Sequence, residues 1–219
     1  MKAGMRLCTF VAALALAALC ACSAPGAPSA GSDAGTGSSA GSAAPAAAMS
    51  QNGFPMSDMS GYPAFEGYEG EFAFYDLTVA DIARLMEDGE SFAFIAAFSS
   101  CPWCNLCIVQ LNEAALAEGV QVGYLNTRLN PEWTSNLDID DYDTFVELFG
   151  DYLREDDDGI LHLYTPHVFV VVDGQVVAER SGSVEGADPS TGLTDEQAEQ
   201  LVAEYREMLS RILVDCGTC

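Results

Sequence analysis

Seven consecutive apolar residues, Phe92 to Phe98 (FAFIAAF), lead through Ser99 and Ser100 into Cys101-Pro102-Trp103-Cys104. So short a run with no polar position suits a strand buried on both faces, which requires a sheet covered on both sides. Pro102 suits the first turn of a helix, where its missing N–H has no intrahelical partner to lose. The helix is expected to run to about Glu118 and to end at Gly119, and Val120 to Leu125 (VQVGYL) reads as the next strand. Strand, helix and strand in this order predict a parallel crossover.

The flanking segments extend the pattern. Thr78 to Glu90 reads as a helix, with Thr78 as cap, Asp81 three residues on, Gly89 as terminator, and Val79, Ile82, Ala83, Leu85 and Met86 as its apolar side. Pro131 to Asp143 is irregular and acidic, and Tyr142 to Arg154 has helical spacing with Phe145, Leu148, Phe149 and Tyr152 on one side. Glu155 to Gly159 (EDDDG) reads as a loop. Asp173-Gly174 between Val168–Val172 and Val176–Ala178 is a strong hairpin signal. A last helix is expected from about Asp195 to Leu213, with Thr194 and Gln197 forming a capping box. A central mixed sheet flanked by helices, an α/β fold, would bury all of these runs.

The Cys-x-x-Cys pair carries the chemistry. The first turn of a helix brings two such sulfurs together and sets the first beside unpaired backbone N–H groups and the positive end of the helix dipole. Both effects favour thiolate, the attacking species. Cys101 is therefore read as the exposed nucleophile and Cys104 as the resolving thiol, the two forming the catalytic pair.

The segment Phe92 to Cys104, the pair Thr165-Pro166, the hairpin VFVVVDGQVVAERSG (168–182) and the terminal helix together resemble the thioredoxin superfamily over roughly residues 72–214. The resemblance implies a thioredoxin-like fold with a cis-proline, Pro166, against the Cys101–Cys104 disulfide. It also implies a substrate-docking role for Pro166, with Thr165 and Trp103 beside it. The sequence departs from the family in three ways, the first being a longer, acidic region between residues 126 and 164 that is expected to shape partner choice. Cytoplasmic thioredoxins carry a buried acid in the strand before the motif, where this chain has Ile95-Ala96-Ala97. Pro102-Trp103 is nearer the Pro-aromatic and Pro-His pairs of glutaredoxins and periplasmic oxidases than the Gly-Pro of general reductants. The direction of electron flow is open at this point.

Other residues invite weaker readings. Cys107, three residues after Cys104, reads as a small buried apolar residue, with a third redox thiol or a metal ligand as alternatives. Cys216-Gly217-Thr218-Cys219 forms a second Cys-x-x-Cys, either a passive disulfide or a dithiol relay exchanging with Cys101–Cys104; zinc shared between the two pairs is a third reading. His162 and His167 bracket Thr165-Pro166, and His167 is close enough in sequence to tune a thiolate. Asp138, Asp140, Asp141 and Asp143 suggest calcium but fail the EF-hand template, with Tyr142 at the fifth position and no glycine at the sixth. Met49, Met56 and Met59 read as scattered methionines rather than a copper site. Nothing in the pattern calls for a cofactor or a resident metal.

The amino terminus reads as an address. Lys2 and Arg6 precede a short apolar run, Phe10 to Leu19, the length of a signal-peptide core and too short to span a bilayer. Leu19-Cys20-Ala21-Cys22 resembles a bacterial lipobox, which implies cleavage before Cys22 and lipid on its sulfur. Ser23 to about Ser50 is Ser, Ala, Gly and Pro, a tether of ~28 residues with an r.m.s. span of roughly 30 Å. An aromatic arm from Phe54 to Tyr75 follows, its later part expected to pack on the domain. The organisation is thus 1–21 signal, 22–70 tether and arm, 71–214 thioredoxin-like domain and 215–219 tail. Once the signal is lost, six cations face 33 acids, a surface that repels polyanions and argues against nucleic acid.

These readings converge on a thiol–disulfide oxidoreductase for exported proteins, lipid-anchored on the extracytoplasmic face of a bacterial membrane, with a membrane redox protein as a candidate partner. Its alternatives are a non-catalytic accessory lipoprotein beside a transporter, in which the fold is a binding module, and metal delivery through the cysteines.

Overall fold

The computed structural model describes residues 49–128 and 141–215. Five strands form one mixed sheet: β1 (Phe74–Asp76), β2 (Phe92–Ala97), β3 (Val122–Asn126), β6 (His167–Val172) and β7 (Gln175–Ser181). Between β3 and β6 a small hairpin pairs β4 (Arg154–Glu155) with β5 (Leu161–His162). The helices are α1 (Val79–Glu87), α2 (Pro102–Glu118), α3 (Tyr142–Phe149) and α4 (Asp195–Asp215).

The sheet order is β1-β3-β2-β6-β7. β1 and β2 both run parallel to β3, whereas β6 is antiparallel to β2 and β7 is antiparallel to β6. This is a thioredoxin-like arrangement with the all-apolar strand at its centre.

Alternation along the strands divides the core into two layers. Ala93, Ile95 and Ala97 of β2 and Val168 and Val170 of β6 pack in one layer with α2, α4 and the aromatic arm. Phe92, Phe94 and Ala96, with Phe169 and Val171, pack in the other with α1 and α3. A strand that is buried at all six positions has no polar face to show, as its composition requires.

Most expected boundaries match local chemistry. Thr78 and Asp81 form a reciprocal capping box on α1. Gly119 closes α2 in the left-handed conformation at φ 68°. Thr194 and Gln197 exchange the two hydrogen bonds of a capping box, at 2.9 and 3.2 Å. Asp173 and Gly174, at φ 50° and 73°, make the tight turn between β6 and β7.

The differences have physical causes. β3 starts at Val122 rather than Val120, because the Val120 N–H still donates to Ala115 O at the end of α2. α3 stops at Phe149, and Gly150–Tyr152 turns into a 3-10 helix that leaves Tyr152 exposed. The expected loop 155–159 is the tip of the β4–β5 hairpin: the Asp156 carboxylate accepts the N–H groups of Asp158 and Ile160 at 3.0 and 2.9 Å, drawing the chain back. The arm packs from further upstream than residue 71. Met59, Tyr62 and Phe65 are buried in the α2 layer, so these residues belong to the core. Met59 is thereby a core residue.

Asp141 caps α3 by accepting the Thr144 N–H at 3.4 Å, and Asp143 lies in its first turn. Asp138 and Asp140 lie outside the described residues, as do the signal, Cys20, Cys22 and most of the tether. Among the described residues no helix is long and apolar enough to cross a membrane.

Candidate functional site

Cys101 is the N-cap of α2, in extended conformation (φ −76°, ψ 118°), and Pro102 opens the helix proper. Capping turns its side chain inward, and Cys101 Sγ accepts the Cys104 N–H at 3.1 Å. The helix terminus thus supplies the sulfur with one of the backbone donors it otherwise leaves unpaired. Cys104, one turn on, is completely buried, and Cys101, expected to be exposed, is buried as well, keeping 4% of its surface because capping turns it inward. Both are free thiols.

The two sulfurs are driven in opposite directions. A hydrogen bond from the Cys104 thiol, with backbone N–H groups of Cys104 and Trp103 and the Thr165 hydroxyl, outweighs burial and brings Cys101 down to about 6. Burial first, then the neighbouring Cys101 sulfur, pushes Cys104 far above the ordinary thiol range. One proton therefore stays on the inner sulfur while the outer one is thiolate at neutral pH. That asymmetry is what thiol–disulfide exchange uses.

Across from the pair stands the loop entering β6. The Thr165-Pro166 peptide is cis. The Thr165 hydroxyl donates to Cys101 Sγ and the Cys101 thiol faces the Thr165 carbonyl, both at 3.7 Å. The Pro166 carbonyl accepts the Gly182 N–H at 2.8 Å, which ties this loop to the end of β7. Trp103 stands out of the surface at 42% exposure beside Cys101, and Tyr164 faces it across an open cleft at 49%. The structure therefore brings Cys101, Cys104, Trp103, Thr165 and Pro166 to one end of the sheet.

The chain matches no protein-family model, and no curated protein matches it. Among solved structures it is similar to a chain described as an oxidoreductase of provisional assignment with a thioredoxin fold, at 13% identity and a TM-score of 0.38, over 64% of this chain and 96% of that one. The thioredoxin-like fold of the present chain is carried by its own strand order and helix layers.

Sequence reading did not find Arg128. It follows β3, lays its guanidinium 4.2 Å from the centre of the Phe98 ring, and donates to the Ser100 hydroxyl at 3.3 Å, lining the same cleft as Cys101. As one of seven arginines in so acidic a chain it was a countable signal, but nothing local tied it to the motif. Asn105 was also missed: its amide donates to Ser99 O and Cys101 O at 2.7 and 2.9 Å and holds the turn before the helix.

The remaining candidates sort by position. Cys107 is fully buried beside Ser183, Tyr205 and Arg180, and burial raises its pKa. His167 does not tune Cys101. It lies on the opposite face of the sheet, stacked on Phe169 at 4.1 Å and paired with Glu179 at 2.6 Å. β6 alternates, so a residue next to an inward valine must face the other layer. His162 is engaged with Asp156 at 2.6 Å on the β4–β5 hairpin. Among the described residues no group of three or more His, Cys, Asp or Glu side chains is placed to hold a metal ion. Cys216 and Cys219 lie outside the described residues.

Proposed function

We propose that this chain is a thiol–disulfide oxidoreductase working through Cys101 and Cys104. The observation that carries the reading is the opposed environment of the two thiols, one held near 6 and the other raised, at the first turn of a helix. Cys101 attacks, or is attacked as a disulfide, and Cys104 resolves the mixed disulfide. Thr165, Pro166 and Trp103 form the docking surface for the partner polypeptide, with Tyr164 and Arg128 at its edges. A thiolate held this low favours the reduced dithiol over the disulfide, and so favours giving the disulfide to a partner.

The substrates are thiols or disulfides of exported proteins, and the chain is held by a lipid on Cys22 at the extracytoplasmic face of a bacterial membrane. The signal-like amino terminus and the lipobox-like Cys22 support this location, where disulfides persist.

The test equilibrates the full chain in graded thiol/disulfide buffers and traps Cys101 by alkylation with mass readout. A potential above the roughly −270 mV of thioredoxin is expected. A Cys101 that reacts in neither redox state would leave a binding module in place of an enzyme.

A further inference from the structure

The reaction proposed above requires Cys104 to lose a proton, yet its thiol is wholly buried. No Asp or Glu is among the buried residues of the described chain, so no carboxylate inside the core takes that proton. β2 offers only Ala93, Ile95 and Ala97 to the layer that holds Cys104, and His167 stands on the other face of the sheet. What that layer does hold is a phenol from the arm. Tyr62 is 3% exposed and packs in one cluster with Cys101 and Cys104. Its hydroxyl donates to the Tyr124 hydroxyl at 3.1 Å, the rings meeting edge to face at 6.0 Å. Tyr124 sits on β3 directly across from Ile95. It also lines an open cleft with Asp58, Asp76 and Asn126. Two linked hydroxyls therefore join the buried surroundings of Cys104 to an acidic, water-accessible cleft.

We propose that the Tyr62–Tyr124 hydroxyl pair is the proton route between Cys104 and solvent when the mixed disulfide is resolved, which makes both tyrosines positioning residues. The inference rests on the exchange reaction itself. In that step the Cys104 sulfur attacks the Cys101 sulfur, a Cys101–Cys104 bond forms, and the bond from Cys101 to the partner sulfur breaks. The partner leaves as thiolate with the electron pair. The Cys104 proton enters the hydroxyl chain as Tyr62 passes its own to Tyr124 and Tyr124 passes its own to water in the cleft, while the leaving thiolate takes a proton from solvent at the docking surface.

Both phenols stay neutral throughout. Burial, with negative charge on Cys104 and Cys101 acting in the same direction, holds Tyr62 far above the ordinary range and Tyr124 at about 12. Each must therefore take a proton as it gives one. The titratable groups facing the pair are Cys101 and Cys104 from α2 and Asp76 from β1; Asp76 accepts the Ser57 hydroxyl at 2.6 Å. On the arm, Asp58 lines the cleft. The arm is fixed to the reacting turn, because the Ala64 N–H donates to Asn105 Oδ1 at 2.9 Å and the Asn105 amide holds Cys101 O.

The test uses the full chain with Tyr62→Phe and Tyr124→Phe, Cys216 and Cys219 being replaced by Ser in every sample. Mixing with 5,5′-dithiobis(2-nitrobenzoate) releases coloured thiolate in two phases, the first from attack by Cys101 and the second from resolution by Cys104. The expected result is an unchanged first phase, and a second phase slowed on the order of tenfold with its pH profile moved upward. An unchanged second phase in both variants overturns the proposal. So does equal slowing of both phases with a lowered melting temperature, which would assign the tyrosines to packing. If the unsubstituted tyrosine protein shows no second phase, or Cys104→Ser does not remove it, the exchange reading itself has failed, a result distinct from failure of the tyrosine route.

Discussion

Cys101 and Cys104 have the same chemistry and opposite surroundings. The helix start gives Cys101 backbone donors and a neighbour's thiol proton, while one turn of helix carries Cys104 beyond the reach of water. Replacing Cys104 by Ala removes the largest influence lowering Cys101. The midpoint of iodoacetamide alkylation against pH is then expected to rise from about 6 toward the ordinary thiol range, and an unmoved midpoint would mean that the backbone donors suffice. The same lowering gives stability a sign. Cys101 ionises more readily folded than unfolded, so this contribution to the reduced protein is fully present above the ordinary thiol pKa and is lost as pH falls toward about 6. The melting temperature of the reduced protein, measured against Cys101→Ser, is expected to rise between pH 6 and 9 and to show no such difference once the disulfide is closed. The reactive pair was legible in the sequence because Cys-x-x-Cys after an apolar strand specifies its own local geometry. Arg128 and the two tyrosines were not, since each reaches the site only through the fold.

Among the elements, the arm departs most from what its sequence suggests. Residues 54–75 have aromatic side chains without helical or strand period, and such a segment gives no sign of where it docks. The docking information sits on α2. Asn112 is 1% exposed; its carbonyl accepts the Ala73 N–H at 2.9 Å and its amide donates to Tyr68 and to Glu71 O, both at 3.1 Å. A buried Asn on a helix could be read from the sequence only as a blemish in an apolar face. Asn112→Ala strands the Ala73 N–H in the core, and a loss of about 1–3 kcal/mol is expected from urea denaturation, with the arm more readily cleaved by protease. The hairpin between β6 and β7 shows the converse, a turn fully legible from Asp173-Gly174. The structure adds why Gly174 is required: at φ 73°, a Cβ would lie 2.3 Å from the Met86 carbonyl at the end of α1. Gly174→Ala therefore meets backbone on one side and left-handed strain on the other. It should destabilise by more than the ~1 kcal/mol that strain alone costs; a smaller loss would show that the turn can move away from α1.

At the scale of the whole molecule, strand direction decides which thiols can meet. β7 runs parallel to β2, so α4 begins at the end of the sheet that carries Cys101 and travels away from it. Its last turn confirms the direction: Ile212 and Leu213 line a cleft with Gly119, Val120 and Phe92, at the carboxyl end of α2. α2 has 17 residues, so that end lies about 25 Å from Cys101. α4 therefore ends at the far end of α2 from Cys101, and a relay from Cys216 and Cys219 to the Cys101–Cys104 pair has the length of α2 to cross. The order of strands, which places β7 alongside a partner antiparallel to β2, is the information a linear reading lacked. With Cys216 and Cys219 both replaced by Ser, the rate at which Cys101–Cys104 reacts with a small disulfide is expected to stay within about twofold of the parent in dilute solution. Any help the tail gives should then rise with protein concentration, as exchange between two molecules requires. A tail effect that is large and independent of concentration would mean that α4 unwinds from its carboxyl end to deliver the dithiol, and proteolysis at residues 205–215 in the reduced protein would report that opening.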